Sequence, residues 1–222
     1  MSIEHDLARP LAEQLAEYKA QSLARFTPGR TAVIERAIES LRAGGIESTA
    51  LAVGASAPEL TLPDALGRPV ELASLWRDLP LIVVFYRGGW CPYCNLELRA
   101  WQKLLPEVHA AGAALVAISP QSPDNSLSTA EKNELAYAVL SDSSLAAAQA
   151  FGIAFVFPDE LAALYAEVGI DVPAINANGK WMLPLPATYV IDRGGRIVFA
   201  QVDADYRERA EPSQVLRIIA TL

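Results

Sequence analysis

The chain has 222 residues, 52% hydrophobic, 20% charged and 8% aromatic, which is the profile of a globular protein with one sizeable core and excludes a disordered or collagen-like chain. Its net charge of −8 and pI near 4.8, with lysines and arginines dispersed, argue against binding a nucleic-acid backbone. No window approaches the roughly 18–20 uninterrupted apolar residues that span a bilayer, and Met1-Ser2-Ile3-Glu4-His5-Asp6 lacks the basic start and apolar stretch of a secretory leader, so a cytoplasmic protein is expected.

Residues 1–50 carry helical spacing, first at Leu7, Leu11, Leu15 and Tyr18, then at Ile34, Ile38 and Leu41. Two helices are expected, broken around Thr27-Pro28-Gly29, the second stopping at Gly44-Gly45. Holding no reactive constellation, this extension reads as a helical cap on the main domain, residues 51–222, or as a homodimer contact. After Gly54, Ala57-Pro58-Glu59-Leu60-Thr61-Leu62 reads as a short strand, Asp64-Ala65-Leu66-Gly67 as a turn, and a partner strand ends near Leu72. Pro80-Leu81-Ile82-Val83-Val84-Phe85-Tyr86 is a continuous apolar run, as in a central strand buried on both faces.

Beyond Cys94, the positions Leu96, Trp101, Leu104, Leu105 and Val108 have helical spacing with Pro106 as a kink. Residues 114–119 form a second buried strand. Ser128-Thr129-Ala130-Glu131 has the form of a capping box that opens another helix, 137–142 reads as a strand, and 145–151 as a helix stopping at Gly152. Between 156 and 179 only a helix near 161–168 stands out. Residues 187–192, a turn at Arg193-Gly194-Gly195 and residues 196–201 make a β-hairpin pattern, and 213–221 a final helix. Strands alternating with helices and then a hairpin imply an α/β fold with a mixed central sheet flanked by helices on both faces.

The only two cysteines lie in Trp90-Cys91-Pro92-Tyr93-Cys94. Two cysteines cannot staple a secreted scaffold, and a lone Cys-x-x-Cys inside the cell is catalytic or metal-binding. Here a central strand, Gly88-Gly89 and a helix surround the pair in that order, so the glycines allow a tight turn and the helix aims free N–H groups and its positive dipole end at the sulfurs. In such positions a cysteine pKa falls from about 8.5 to roughly 3.5–7.5, and Arg87 adds positive charge. Two alternatives remain: an inert buried pair, and half a zinc site, for which only His5, His109 and scattered carboxylates are left as further ligands.

With these residues the chain resembles the peroxiredoxins of the alkyl hydroperoxide reductase and thiol-specific antioxidant (AhpC/TSA) group, in particular a peroxiredoxin-like branch that bears a thioredoxin-type Cys-x-x-Cys. The resemblance covers about residues 53–222: Val53-Gly54-Ala55-Ser56-Ala57-Pro58-Glu59-Leu60-Thr61-Leu62 is similar to the family's opening strand, and Val84-Phe85-Tyr86, Leu140-Ser141-Asp142, Phe151-Gly152 and Tyr189-Val190-Ile191-Asp192 to its later landmarks. It implies a thioredoxin-like fold with a helical N-terminal extension, and it puts Cys94 on the peroxidatic position and Glu97 on the acidic position that follows. Cys91 stands where the family has Thr or Ser, Arg87 where it has Pro, and Pro186 near where it has Arg, so the hydroxyl and guanidinium that polarise a peroxide in the family are replaced. Pro186-Ala187-Thr188 resembles the cis-proline of thioredoxins; otherwise Pro186 is an ordinary strand-entry proline. The segment from Asp203 to Pro212 resembles one recurring in the same branch and offers Arg207 or Arg209 in place of the missing Arg, or else is a solvated loop.

Three functions follow for the pair. In a thiol peroxidase Cys94 attacks a peroxide and Cys91 resolves the sulfenic acid to a disulfide, which a thioredoxin or glutathione-type reductant returns. In a disulfide exchanger a solvent-facing Cys91 attacks a partner disulfide and Cys94 resolves. In a redox sensor the dithiol only switches a partner surface. Trp90 and Tyr93, read as exposed, line a substrate groove in any of these or simply pack, and Pro92 counts with them as a supporting residue of the motif. None of the three calls for a cofactor or a metal.

Overall fold

The computed structural model describes residues 9–222, so Leu7 and His5 lie outside the described residues. Two helices open the described residues. Helix α1 (Leu11–Arg25) buries Leu11 and Leu15, and α2 (Pro28–Ala43) starts where the sequence breaks: the Thr27 side chain accepts a hydrogen bond from the Arg30 N–H, and Pro28 occupies the first turn, where its missing N–H is no loss. The chain leaves α2 through Gly45 at φ 71°, a left-handed stop as expected, into the short α3 (Ile46–Thr49).

A small antiparallel pair follows, β1 (Thr61–Pro63) with β2 (Pro69–Glu71); the first strand begins only at Thr61, so residues 57–60 of the expected strand are outside it. After α4 (Leu72–Trp76), strand β3 (Leu81–Phe85) runs through the centre with every residue buried. Helix α5 (Pro92–Lys103) carries the cysteines. Pro106 does not kink it: α5 ends at Leu104, and Pro106 sits in the first turn of a new helix α6 (Leu105–Ala110), again the position that needs no N–H donor. Strand β4 (Ala114–Ser119) leads to α7 (Pro123–Lys132), capped by Ser122. The capping box read at 128–131 is therefore mid-helix, where the Ser128 and Thr129 hydroxyls donate back to the Asp124 and Asn125 carbonyls, an alternative use of the same side chains.

Next come β5 (Ala138–Ser141) and α8 (Ala146–Ala150). The helix expected near 161–168 is α9 (Asp159–Glu167), and around it the structure adds β6 (Ala154–Val156) and α10 (Val172–Ile175), with β6 pairing antiparallel to β7 (Met182–Pro184). The hairpin is β8 (Ala187–Ile191) and β9 (Ile197–Val202), and α11 (Pro212–Ile219) closes the fold.

The main sheet has the order β5-β4-β3-β8-β9. Strands β3, β4 and β5 are parallel, joined by helices, whereas β8 and β9 are antiparallel. Val83 faces Val116 on one side and Tyr189 on the other. Because strand side chains alternate, Leu81, Val83 and Phe85 enter a core covered by α2, α4, α8 and α9, while Ile82 and Val84 enter a second core covered by α1, α5 and α11. This is the thioredoxin-like mixed sheet flanked by helices that the sequence predicts. The N-terminal helices take part in both cores, α1 packing on α5 and α2 on α9. Among the described residues no helix is long and apolar enough to cross a membrane.

Candidate active site

Strand β3 delivers the chain to a loop at 87–91 whose backbone is fixed from both sides. Gly88 has φ 145°, a conformation in which a side chain would be strained and would collide with the Trp90 indole. The Gly89 N–H donates to Gln121 Oε1 at 2.8 Å, and its carbonyl accepts from Asn95 Nδ2 at 2.8 Å. Gln121 is held in turn by Thr129, and Asn95 by Asn133. All four side chains of this network are buried and hydrogen-bonded, the condition under which buried polar groups rigidify a structure.

Cys91 is the residue that caps α5, which puts its sulfur at the positive end of the helix. Cys94, in the first turn, accepts from the Arg87 backbone N–H at 3.4 Å and from Arg209 Nη2 at 3.5 Å. Both thiols are free and buried. Burial works against ionisation of Cys91, but a hydrogen bond from Cys94, the charges of Arg87 and Arg209, and the Cys94 N–H outweigh it and bring its pKa down to about 5. Burial, and then the neighbouring Cys91 thiolate, push Cys94 up. These surroundings favour a thiolate on Cys91 over one on Cys94.

Arg87, noted in the sequence only as nearby charge, proves central. It is 2% exposed and stacks with the rings of Tyr206 at 4.1 Å, Trp90 at 5.0 Å and Tyr165 at 5.5 Å. It donates to the Tyr165 hydroxyl and approaches Cys91 Sγ at 3.9 Å through Nη1. Among the described residues no carboxylate pairs with it. A cation buried without a carboxylate is costly unless another negative charge compensates it, and the Cys91 thiolate is that charge.

A cavity of about 280 Å³ opens over Cys91 and does not reach Cys94. Phe26 and Ile34 from the N-terminal helices, Trp90, and Leu164, Val168 and Ile170 near the end of α9 make its walls apolar, and its charged lining groups are Arg30 and Arg87. Two expectations about the aromatics change: Tyr93 is buried, wedged edge-on between Tyr18 and Tyr206 at 5.0 and 5.5 Å, and Trp90 is half-buried against Tyr165. Nor is Cys91 solvent-facing; it is 1% exposed, at the cavity floor. The N-terminal extension, read as a cap or dimer contact, supplies part of that wall.

Pro186 is not a cis-proline, since no cis peptide bond occurs among the described residues; it borders a small void beside Arg87 and Tyr206 rather than the cavity over Cys91. Of the two candidate arginines, Arg207 turns away to Asp205 and Glu35, both at 2.6 Å. Arg209 reaches the site, pairing through Nε with Glu97 at 2.7 Å and through Nη2 with Cys94. The segment from 203 to 212 is accordingly packed, with Ala204, Asp205, Arg207 and Ala210 buried. Sequence reasoning missed Tyr165, Tyr206 and Gln121, whose only signal is an unremarkable polar or aromatic residue in a helix or loop. Among the described residues no cluster of three or more His, Cys, Asp or Glu stands ready for a metal.

The AhpC/TSA family model matches residues 53–200. Protein Rv2521 of Mycobacterium tuberculosis (strain ATCC 25618 / H37Rv), which its name places among the peroxiredoxins, is 29% identical over 155 residues, 70% of this chain and 87% of its own length. The thiol-disulfide oxidoreductase ResA of Geobacillus thermodenitrificans is 27% identical over 151 residues, 68% of this chain and 70% of ResA. Among solved structures, peroxidoxin BcpB of M. tuberculosis superposes with a TM-score of 0.61 at 22% identity, covering 77% of this chain and 97% of BcpB, a likeness of fold. Tyr18, Phe26, Ile34, Tyr206 and Arg209 all lie outside the matched 53–200.

Proposed function

Because the chain belongs to the AhpC/TSA family, we propose that it is a thiol peroxidase that reduces hydroperoxides through Cys91 and Cys94, with Cys91 as the attacking sulfur. The observation that carries this reading is the Cys91 sulfur at the floor of an apolar cavity, 3.9 Å from a buried guanidinium that favours its thiolate. The thiolate attacks the terminal oxygen of a hydroperoxide, an S–O bond forms as the O–O bond breaks, and the alkoxide leaves to take a proton from water. Arg87 stands where that negative charge develops, and a donor placed there in a water-poor site lowers the barrier most. Cys94 then attacks the sulfenic sulfur, closing the disulfide and releasing water.

The order of attack differs from the one implied by the resemblance, which puts the peroxidatic role on Cys94. Cys94 is fully enclosed, with a raised pKa, and does not line the cavity. A thioredoxin- or glutathione-type donor in a reducing compartment such as the cytoplasm restores the dithiol. Exchange with bulky protein disulfides is disfavoured by the 1% exposure of Cys91.

Single-turnover mixing of the reduced protein with cumene hydroperoxide and hydrogen peroxide, followed by Trp fluorescence, tests the reading. Wild type and Cys94→Ser should both show a fast first phase, and Cys91→Ser none. A first phase that survives in Cys91→Ser and vanishes in Cys94→Ser would reverse the roles; slow oxidation in all three, with fast exchange against a protein disulfide, would replace the peroxidase by an exchanger.

A further inference from the structure

Resting on Cys91 as the attacking sulfur, we infer that the buried Arg209–Glu97 pair sets the speed of the second step, the closing of the disulfide by Cys94. The ion pair is 1% and 0% exposed. Every arm of Arg209 is committed: Nε to Glu97, Nη1 to the carbonyls of Tyr206 and Glu208, and Nη2 to Cys94 Sγ. Glu97 lies one helical turn beyond Cys94 on α5, so helix, carboxylate and guanidinium hold one another in place around that sulfur.

The chemistry of the second step needs this charge. Cys91 bears the sulfenic acid; Cys94 must act as a thiolate, its S–S bond forms as the S–O bond breaks, and the departing hydroxide joins the proton given up by Cys94 to leave as water. No outside electrons enter, since the sulfenic sulfur is reduced and Cys94 oxidised by the same amount. Once Cys91 is a sulfenic acid its thiolate no longer opposes ionisation of Cys94, and Arg209 becomes the cation in contact with the remaining thiol. Glu97 has the opposite influence: its carboxylate repels a Cys94 thiolate. Arg209 thus promotes the step and the Glu97 charge restrains it, while the Glu97 hydrogen bond holds Arg209 in position. Burial raises the Glu97 pKa to about 7 against the pull of Arg209, so the restraint strengthens as pH rises.

A contact charge moves a thiol by roughly 1–3 pK units, while nucleophilicity rises with pKa at a slope of about 0.4–0.5; the net change in rate is about tenfold. Single-turnover kinetics with cumene hydroperoxide, with sulfenic acid trapped by dimedone, should therefore show the second phase about tenfold slower in Arg209→Met, its pH midpoint raised and sulfinic acid accumulating under excess peroxide. In Glu97→Gln, which keeps a hydrogen-bonding side chain beside Arg209, the second phase should be several-fold faster at pH 8 with its midpoint lowered. Arg209→Lys should recover part of the loss. Opposite signs are the signature: a purely structural pair would slow the step in both variants, with no shift of midpoint, and overturn the inference, as would two variants indistinguishable from wild type. Circular dichroism of each variant checks that the fold is retained, and the conservative Arg209→Lys decides the matter should Arg209→Met not fold. If the order of the cysteines is itself wrong, Cys91→Ser keeps the first phase and Arg209→Met acts on that phase instead, a different outcome from either of these.

Discussion

Replacing Arg87 by Met separates two effects that the native guanidinium combines. Removing a cation from within about 4–6 Å of a thiolate raises its pKa by roughly 1–3 units, so the Cys91 midpoint should move from about 5 to roughly 6–8. Alkylation by iodoacetamide, which builds no negative oxygen, reads this shift directly and should regain most of its rate at pH 8.5. Peroxide attack should not recover, because a lost oxyanion donor costs about 10²–10³ in rate. Since Arg87 pairs with no carboxylate among the described residues, the variant orphans only a Cys91 thiolate, which is relieved by taking up a proton, and each of the three lost ring contacts costs about 0.5–2 kcal/mol of stability. Equal losses in alkylation and peroxide reduction at pH 8.5 would refute a role for the guanidinium at the leaving oxygen. An unmoved alkylation midpoint would show that the helix end, Cys94 and Arg209 suffice to acidify Cys91.

Three further outcomes are expected. Phe26→Ala, at the cavity rim, should lower the ratio of kcat/KM for cumene hydroperoxide over hydrogen peroxide by roughly tenfold, the scale of one altered apolar contact; an unchanged ratio would remove the N-terminal helices from substrate selection. In Gly89→Ala the new methyl runs into the Thr129 side chain, so urea unfolding should show a loss of about 1–3 kcal/mol, partly recovered when Thr129→Ala is added to make room. For the reduced protein, a Cys91 pKa held below its ordinary value near 9 contributes stability that is full above pH 9 and is lost as pH falls through about 5. The Tm difference between reduced wild type and Cys91→Ser should therefore grow from pH 5 to pH 9, and a flat difference would contradict the assigned acidity. Glu97, whose pKa is raised from 4.5 to about 7, contributes in the opposite sense, with stability present below pH 4.5 and lost as pH rises through 7.

What the sequence discloses is what neighbours in the chain decide. The buried run at 81–85, the glycines after it and the helix beginning at Pro92 put the two cysteines at a strand-to-helix junction whatever else the fold does. The Thr27-Pro28 start and the Gly45 stop are likewise local chemistry. Proline is ambiguous locally: the same helical spacing around Pro106 fits a kink or a fresh first turn, and only the break at Leu104 distinguishes them. Serine and threonine share that ambiguity, which is why 128–131 looks like a helix start although Ser122 is the cap. The electrostatics of the site are beyond local reading, because they arise from contacts 78 residues apart for Arg87 with Tyr165 and 115 apart for Arg209 with Cys94. So is the choice of which sulfur meets substrate. It depends on where α1, α2 and α9 lie, and no spacing within the Cys-x-x-Cys motif encodes that.

The charge around the dithiol is assembled from two distant stretches of chain. Arg87 comes with the motif itself, whereas Arg209 lies 115 residues beyond Cys94 and reaches the sulfur only when residues 203–212 are packed in place. In an unfolded chain both cysteines are ordinary thiols with a pKa near 8.5, largely protonated at neutral pH and slow towards oxidants. Reactivity of the pair is therefore a property of the completed fold and not of the Cys-x-x-Cys sequence.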